Sequence, residues 1–591
     1  MKSIIRNNFL LYKSYFKYEP AYCIMRLFTG ILVIVQPISS IYLFQLFMDA
    51  IFVENDIKKS IIIAAVTAAV NFCAAAVNWM MNNKLTPISE QKNSMRYICE
   101  ILNIYLRTDI DIIEDPNFYD KYTQVINDIS NRVMAVQNAI CSFVGNLCSL
   151  GIIITLMIRI GPMMVLVSLI GVVTNLVMTP IMNKIGFAFY QDRTPLNRKQ
   201  DYIKRIFYIR DYSKELKLYN ISNLLLKKVN ENNTELISIT RKYGNKFISC
   251  GLIVSLFQCL SFAAVLLYLA YCAIFGSWTI GYVASMFNAS NEMKDVMGKI
   301  FETLPLFDEN NRYIENYQSL VNNKNSKIEN INSSEEKYTG FESIVISNLD
   351  FTYKNSSKKA LDGVNMSFEK GGKYALVGHN GAGKSTLINL LLRLYDPTNG
   401  EILLDGKRYN TLDVHSLRSL FNVVLQNCQV YALSIAENIL MHSVKNEEDE
   451  QKVWNALGNV GLDEYVRTLP DGINSILTKE FTEDGIILSG GQMQKLLLAR
   501  TFVNDAPIIL LDEATSAMDA ISENNIYTEI EKYACNKTLI YISHKLSATK
   551  NADQIYVFEN GRIIESGTHS ELMELQGVYE KMFTMQAEKY N

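Results

Sequence analysis

Gly378-His-Asn-Gly-Ala-Gly-Lys-Ser-Thr386, entered from Tyr374-Ala-Leu-Val377 and left through Leu387-Ile-Asn-Leu-Leu391, is the stretch from which the rest of the chain is read. A short apolar strand runs into a glycine-rich turn, and the turn opens an amphipathic helix. The G-x-x-x-x-G-K-[ST] pattern needs that setting to be a phosphate-binding P-loop. Gly378, Gly381 and Gly383 let backbone N–H groups curl around phosphate oxygens with no Cβ in the way. His379, Asn380 and Ala382 complete the loop, and the helix adds its positive N-terminal dipole. Lys384 is placed to reach the β- and γ-phosphates, Ser385 to ligate Mg²⁺, and Thr386 closes the motif. A glycine-rich turn before a helix is otherwise a plain strand–helix connection; the Lys-Ser-Thr at its end argues for phosphate.

The 591 residues exceed what one core organises, so two or more domains are expected. The net charge of −3 gives no reason to propose nucleic acid as a partner. A mean hydropathy near zero averages two unlike halves, the first with long apolar runs and the second reading as a soluble α/β domain. The ten cysteines are scattered and form no C-x-x-C pair. Cys23, Cys73, Cys141, Cys148, Cys250, Cys259 and Cys272 lie in or beside apolar stretches and read as small hydrophobes in a reducing or membrane setting.

The first nineteen residues are polar and basic, with Arg6, Lys13 and Lys17 among Phe9, Leu10, Tyr12 and Phe16. They lack the apolar centre of a signal peptide and read as an interfacial helix. Apolar runs long enough to span a bilayer follow at about 21–47, 60–81, 139–158, 162–182, 248–273 and 279–304. The last is weak, interrupted by Asn288, Asn291, Glu292 and Lys294; it is included because an odd number of spans would separate the P-loop from cytosolic ATP. Residues 48–59, 159–161 and 274–278 then form short outer loops, and 82–138 and 183–247 long inner segments. Lys184, Arg193, Arg198, Lys199, Lys204 and Arg205 crowd one inner segment, which places both termini in the cytoplasm. Helical periodicity in these segments suggests spanning helices that continue into the cytosol, with an inserted globular domain as the alternative. Residues 308–338 are polar and rich in Asn, Glu, Lys and Ser. The expected division is a six-helix transmembrane domain at 1–310, a linker at 311–340 and an α/β P-loop domain with a parallel sheet at 341–591.

Two further stretches settle the class. Leu488-Ser489-Gly490-Gly491-Gln492 is a second glycine-rich turn at a helix start, and Ile508-Ile-Leu-Leu-Asp512-Glu513 ends an apolar strand in two carboxylates. With the P-loop, these make the chain resemble an exporter-type half of an ATP-binding cassette (ABC) transporter, one membrane half followed by one cassette. The resemblance implies that two cassettes pair head to tail, each ATP lying between one P-loop and the partner's signature. It assigns Asp512 to Mg²⁺ and Glu513 to polarising the attacking water; adjacent carboxylates are otherwise a helix cap. His544, in Ile542-Ser-His-Lys, matches the switch histidine. Gln426 resembles the glutamine that senses the γ-phosphate and metal. Ser516-Ala-Met518-Asp519 resembles the segment that crosses to the other cassette. Tyr353 stands where the family stacks an aromatic on adenine, or else packs on its strand. Met518 replaces the usual leucine, a mild change, and Phe481-Thr-Glu483-Asp-Gly485 lacks the glycine usual ahead of Glu483.

In the first half, 112–121 and 209–219 resemble the two coupling-helix regions of peptide- and drug-exporting relatives; Asp115-Pro116 suits a helix start. Arg26 must snorkel or face an interior. Asn71, Asn78, Asn146, Asn175, Gln258, Asn288 and Glu292 line a pathway or hydrogen-bond between helices. The expectation is an ATP- and Mg²⁺-dependent exporter in the cell membrane, working as a homodimer or with a related half-transporter. It would move a peptide or another amphipathic compound. A lipid flippase is the first alternative, and an ATP-gated membrane protein, against which the intact Glu513 argues, the second. Without a Cys/His peptidase segment ahead of the first span, leader-peptide processing is not expected.

Overall fold

The computed structural model describes residues 2–209, 212–276, 278–322, 326–329, 337–354, 356–426, 428–514, 518, 520–542 and 546–588. The chain divides into two compact units, Met1–Asn103 with Asp120–Asn322 and Ile104–Tyr119 with Asn323–Asn591. Sixteen residues from inside the helical half, 104–119, therefore belong to the C-terminal unit.

The helical half runs α1 (Lys2–Tyr18), α2 (Pro20–Phe52), α3 (Ile57–Leu106), α4 (Ile110–Ile113), α5 (Pro116–Ile160), α6 (Pro162–Tyr208), α7 (Ser213–Leu218), α8 (Ile221–Phe275) and α9 (Ile280–Val321). Among the described residues α2, α3, α5, α6 and α8 hold stretches long and apolar enough to cross a membrane. The expected sixth span, α9, forms a helix but misses that composition, because Glu292, Lys294, Asp295, Lys299 and Glu302 interrupt it. It still buries one face, through Gly281, Ser285, Ala289, Met293, Val296 and Ile300, at the three- and four-residue steps that line up on a helix. At 1.5 Å per residue, α8 is about 80 Å long, far more than the roughly 30 Å of a bilayer's hydrocarbon. Continuous helices, not an inserted globular domain, thus fill most of 183–247.

The unit's apolar core joins Ile41 of α2, Ile153 and Met157 of α5, Met164 and Val172 of α6, Val265 and Leu269 of α8, and Met286 and Met293 of α9. At one crossing α2 and α5 meet backbone to backbone, since a Cβ on Gly145 would run into the Gly30 carbonyl. Asp115-Pro116 does open a helix, with the Asn117 N–H donating to the Asp115 carboxylate at 2.9 Å. That helix is the 45-residue α5, however, and the short element α4 precedes it.

In the second unit β1 (Ser343–Phe351), β2 (Leu361–Glu369), β4 (Asn399–Leu404) and β5 (Lys407–Arg408) form one sheet in the order β2-β1-β4-β5. The other holds β3 (Lys373–Gly378), β6 (Phe421–Val424), β7 (Ile508–Asp512), β8 (Thr538–Ile542), β9 (Gln554–Glu559) and β10 (Arg562–Gly567), ordered β10-β9-β3-β8-β7-β6. β9, β3, β8, β7 and β6 are parallel. The runs at 343 and 400, expected in the parallel sheet, instead pair antiparallel with each other.

Both faces of the parallel sheet are buried, so its strands read as unbroken apolar runs. Ile508 and Leu510, with Tyr374, Leu376, Ile540 and Ile542, pack toward the antiparallel sheet. Ile509 and Leu511, with Ala375, Val377, Leu539 and Tyr541, pack toward helices that include α12 (Ile435–Leu440) and α13 (Glu447–Asn459). Ahead of these stand α10 (Lys384–Leu391), which follows the P-loop, and α11 (Val414–Arg418). After them, α14 (Asp463–Arg467) precedes α15 (Gly490–Ala499).

Candidate functional site

The site forms at the carboxyl ends of β3, β8 and β7, where parallel α/β sheets place their ligands. Register makes the meeting unavoidable: Leu376 pairs with Ile542, and Ile542 pairs with Asp512. The P-loop leaving β3 and the carboxylates ending β7 are thus aligned by backbone hydrogen bonding across one intervening strand.

Gly378, Gly381 and Gly383 all have φ in the left-handed range, at 151°, 78° and 109°. A side chain at Gly378 would run into the Phe558 carbonyl, and one at Gly383 would lie 2.8 Å from the Ala360 carbonyl. Lys384 is buried, and its ammonium donates to the Gly378 carbonyl at 2.7 Å and the His379 carbonyl at 3.0 Å. Burial lowers its pKa, while the negative charges of Glu513 and Asp512 oppose that shift. Ser385 is exposed and Thr386 buried. Asn380 is exposed beside Gly381, and Ala382 is buried.

Asp512 is buried at the end of β7. Glu513 follows it with φ at 51°, a conformation rare for a residue with a side chain, and its N–H donates to the Ile542 carbonyl at 3.2 Å. This turn aims the carboxylate at Gln426, whose Nε2 donates to Glu513 Oε2 at 2.8 Å. The fold thus brings together Lys384, Gln426, Asp512 and Glu513 from three well-separated parts of the cassette sequence. His544 and Asp519, with Ser516, lie outside the described residues.

Tyr353 is half-buried and meets Phe351 and Tyr395 edge to face, at centroid distances of 4.8 and 5.5 Å. Its hydroxyl lies 3.1 Å from Thr386 Oγ1 on α10. The packing and P-loop readings of this residue therefore coexist. Ser489 caps α15: its hydroxyl accepts from the Gln492 N–H at 3.3 Å, and Gln492 Oε1 accepts from the Ser489 N–H at 3.0 Å. Gly490 and Gly491 form the first turn between them. Among the described residues no hydrogen bond joins 489–492 to the P-loop.

Sequence reading misses a second polar cluster in this unit. The Asp109 carboxylate accepts three consecutive backbone N–H groups, from Lys327 at 2.7 Å, Ile328 at 3.2 Å and Glu329 at 2.8 Å. The Asp109 N–H in turn donates to Ser326 Oγ at 3.2 Å. Glu329 pairs with Arg418 at 2.8 Å, and Arg418 also donates to the Leu392 and Arg393 carbonyls just past α10. Glu114 hydrogen-bonds Tyr395; burial first, and then this carboxylate, push the Tyr395 phenol pKa up. A line of contacts therefore runs from Glu114 through Tyr395 and Tyr353 to Thr386. The Asp115-Pro116 start is the only local signal in this region, and it points to α5 rather than to Asp109.

A profile of the ABC transporter family matches residues 361–516. The chain is 39% identical over 244 residues to an ATP-dependent lipid A-core flippase of Methylobacillus flagellatus, 41% of each chain. It is 40% identical over 243 residues to a putative multidrug export ATP-binding/permease protein of Staphylococcus aureus, again 41% of each. The matched part spans about two fifths of the length of these curated relatives. Across nearly the whole chain the fold is that of a bacterial Atm1-family ABC exporter solved with ATP bound, with a TM-score of 0.78 at 20% identity, covering 97% of this chain and 98% of that one. With this profile centred on the P-loop and this fold from end to end, the chain belongs to the ABC transporter family and carries its exporter architecture, a helical half followed by one cassette.

Proposed function

We propose that this protein is an ATP-hydrolysing primary active exporter of a peptide or small hydrophobic compound, acting as a homodimer in the cell membrane with its cassette in the cytoplasm. The observation that carries this reading is the Gln426–Glu513 hydrogen bond beside Lys384 and Asp512, in a chain that also holds five helices apolar enough to span. A protein that only bound nucleotide would not need a carboxylate held in a strained backbone and oriented by a second side chain.

Lys384 now rests on two P-loop carbonyls. It would exchange them for the β- and γ-phosphates, while the loop's N–H groups receive the remaining oxygens. Glu513 would accept a hydrogen bond from the attacking water and polarise it. Gln426 fixes that carboxylate until substrate enters. His544 would contact the γ-phosphate, and Tyr353 would offer its ring to adenine. The donor set of the Ser385 hydroxyl, the Asp512 carboxylate and the Gln426 amide oxygen is all hard oxygen, which suits Mg²⁺. When bound there the ion supplies charge neutralisation between the β- and γ-phosphates.

Ser489, Gly490, Gly491 and Gln492 open a capped helix away from their own P-loop, which supports their use by a second cassette, with Asp519 at the same junction. The Asp109 cluster supports transmission: residues 104–119 are covalently continuous with α3 and α5, yet are bonded into the cassette unit, so motion at the nucleotide site has a direct mechanical outlet. The relatives named for a lipid and for drugs match equally well over equal spans, so that match does not choose a cargo.

The test is Mg²⁺-ATPase activity of the full chain in nanodiscs. Glu513→Gln should lower turnover about 10²- to 10⁴-fold with nucleotide binding retained; unchanged turnover would remove Glu513 from this role.

A further inference from the structure

Most polar groups buried among the long helices have partners. The Glu292 carboxylate accepts from Gln36 at 3.1 Å and Ser40 at 3.3 Å, and Asn288 donates to the Ser40 carbonyl at 2.9 Å. Arg26 donates to Asn82 and Asn138, and Asp49 accepts from Thr279 at 2.6 Å. These are interhelical ties.

Four charged residues on α9 behave differently. Lys294, Asp295, Lys299 and Glu302 line a cavity of about 1150 Å³ between α6, α8 and α9. Among the described residues none of the four side chains has a hydrogen-bond or ion-pair partner; Lys294 only approaches the Phe262 ring, at 5.7 Å. Each charge on a spanning helix costs about 2.5–3.5 kcal/mol near the bilayer centre, and here no protein partner offsets it. The facing walls carry side-chain amides, Asn175 and Asn183 from α6 and Gln258 from α8. Two cations, two carboxylates and a wall of neutral amides make a surface that an apolar drug would desolvate without compensation.

We infer that this cavity is the cargo subsite and takes a short peptide with free ends. Its carboxylate would pair with Lys294 and Lys299, its ammonium with Asp295 and Glu302, and its peptide groups with the amide wall. The inference rests on the transport reading above and deepens it, replacing "peptide or small hydrophobic compound" with a zwitterion. The volume suits it, being at the upper end of small-molecule sites. A zwitterionic lipid headgroup shares the end charges but not the peptide groups.

Equilibrium binding decides this without any ATP turnover. The full chain is placed in phosphatidylglycerol nanodiscs with no nucleotide and titrated with a tetrapeptide labelled on a cysteine side chain. The same peptide is also tested N-acetylated, C-amidated or both. Blocking either end should weaken binding about tenfold, the loss of one charge-assisted contact. The double variant Lys294→Met, Lys299→Met should respond to amine blocking but no longer to carboxylate blocking, and Asp295→Asn, Glu302→Gln should show the converse; Lys294→Arg should restore the first. Equal affinity for free and blocked peptides, or no binding at all, overturns the proposal, as does competition only by phosphatidylethanolamine. If a variant fails to fold, the blocked-peptide series on the unaltered chain still decides. Failure of the transport reading would show separately, as ATPase activity indifferent to Glu513→Gln.

Discussion

The cassette's parallel sheet and the long helices of the other unit are both strongly apolar, yet they dispose of that apolar surface in opposite ways. Every residue of β7 and of β8 is buried, each strand facing one core on one side and another on the other. On α3, Phe72 is 74% exposed and Trp79 71% exposed, and α3 contributes nothing to the central apolar cluster of its unit. Sequence hydropathy scores both as core. The difference lies in the solvent each surface is meant to meet: the sheet must exclude water, whereas an apolar helix face is already at home in lipid.

Substitutions at matched positions sharpen this contrast. Leu510→Ala, within the core between the two sheets, should cost about 2–5 kcal/mol, read as a lower unfolding transition of the cassette in denaturant titration of the nanodisc-held chain. A loss below about 1 kcal/mol would mean that the core is not packed as described. Asp109→Ala removes one carboxylate that satisfies three backbone donors, and should cost about 1–3 kcal/mol. Hydrogen exchange should report it as faster exchange at Lys327, Ile328 and Glu329 specifically; unchanged protection there would break the link between 104–119 and the linker. Phe72→Leu, on the outward face of α3, should stay within about 0.5 kcal/mol. A larger loss in lipid would show that this face is covered by protein, and crosslinking from position 72 would then identify what covers it.

Legibility follows the distance over which each feature's partners lie. The P-loop is readable because its phosphate cradle is built from nine successive residues, and the positive-φ positions fall on Gly378, Gly381 and Gly383. The cap of α15 is equally local, Ser489 and Gln492 meeting across three residues. The strands at 508 and 538 stand out because burial on both faces leaves no polar alternation to confuse with a helix. The antiparallel partnership of β1 and β4 is not readable, since apolar runs carry no sign of strand direction. Asp109 cannot be recognised, because its acceptor role depends on backbone donors 218 to 220 residues away. The sixth helix follows from parity alone, and the charges that weaken it line a cavity.

What the amino-acid order determined by itself was therefore the chemistry of short range: a phosphate loop, a capped signature turn, a carboxylate pair at a strand end, and apolar lengths suited to a bilayer. Each needs only neighbours within a turn or a strand, where backbone geometry leaves few choices. The tertiary structure alone decided that Gln426 holds Glu513, that Asp109 binds the linker, and that four charges on α9 are left without protein partners among the described residues while Glu292 is tied. Those outcomes depend on which distant segments share a surface. That is set by packing of whole strands and helices, and no local pattern encodes it.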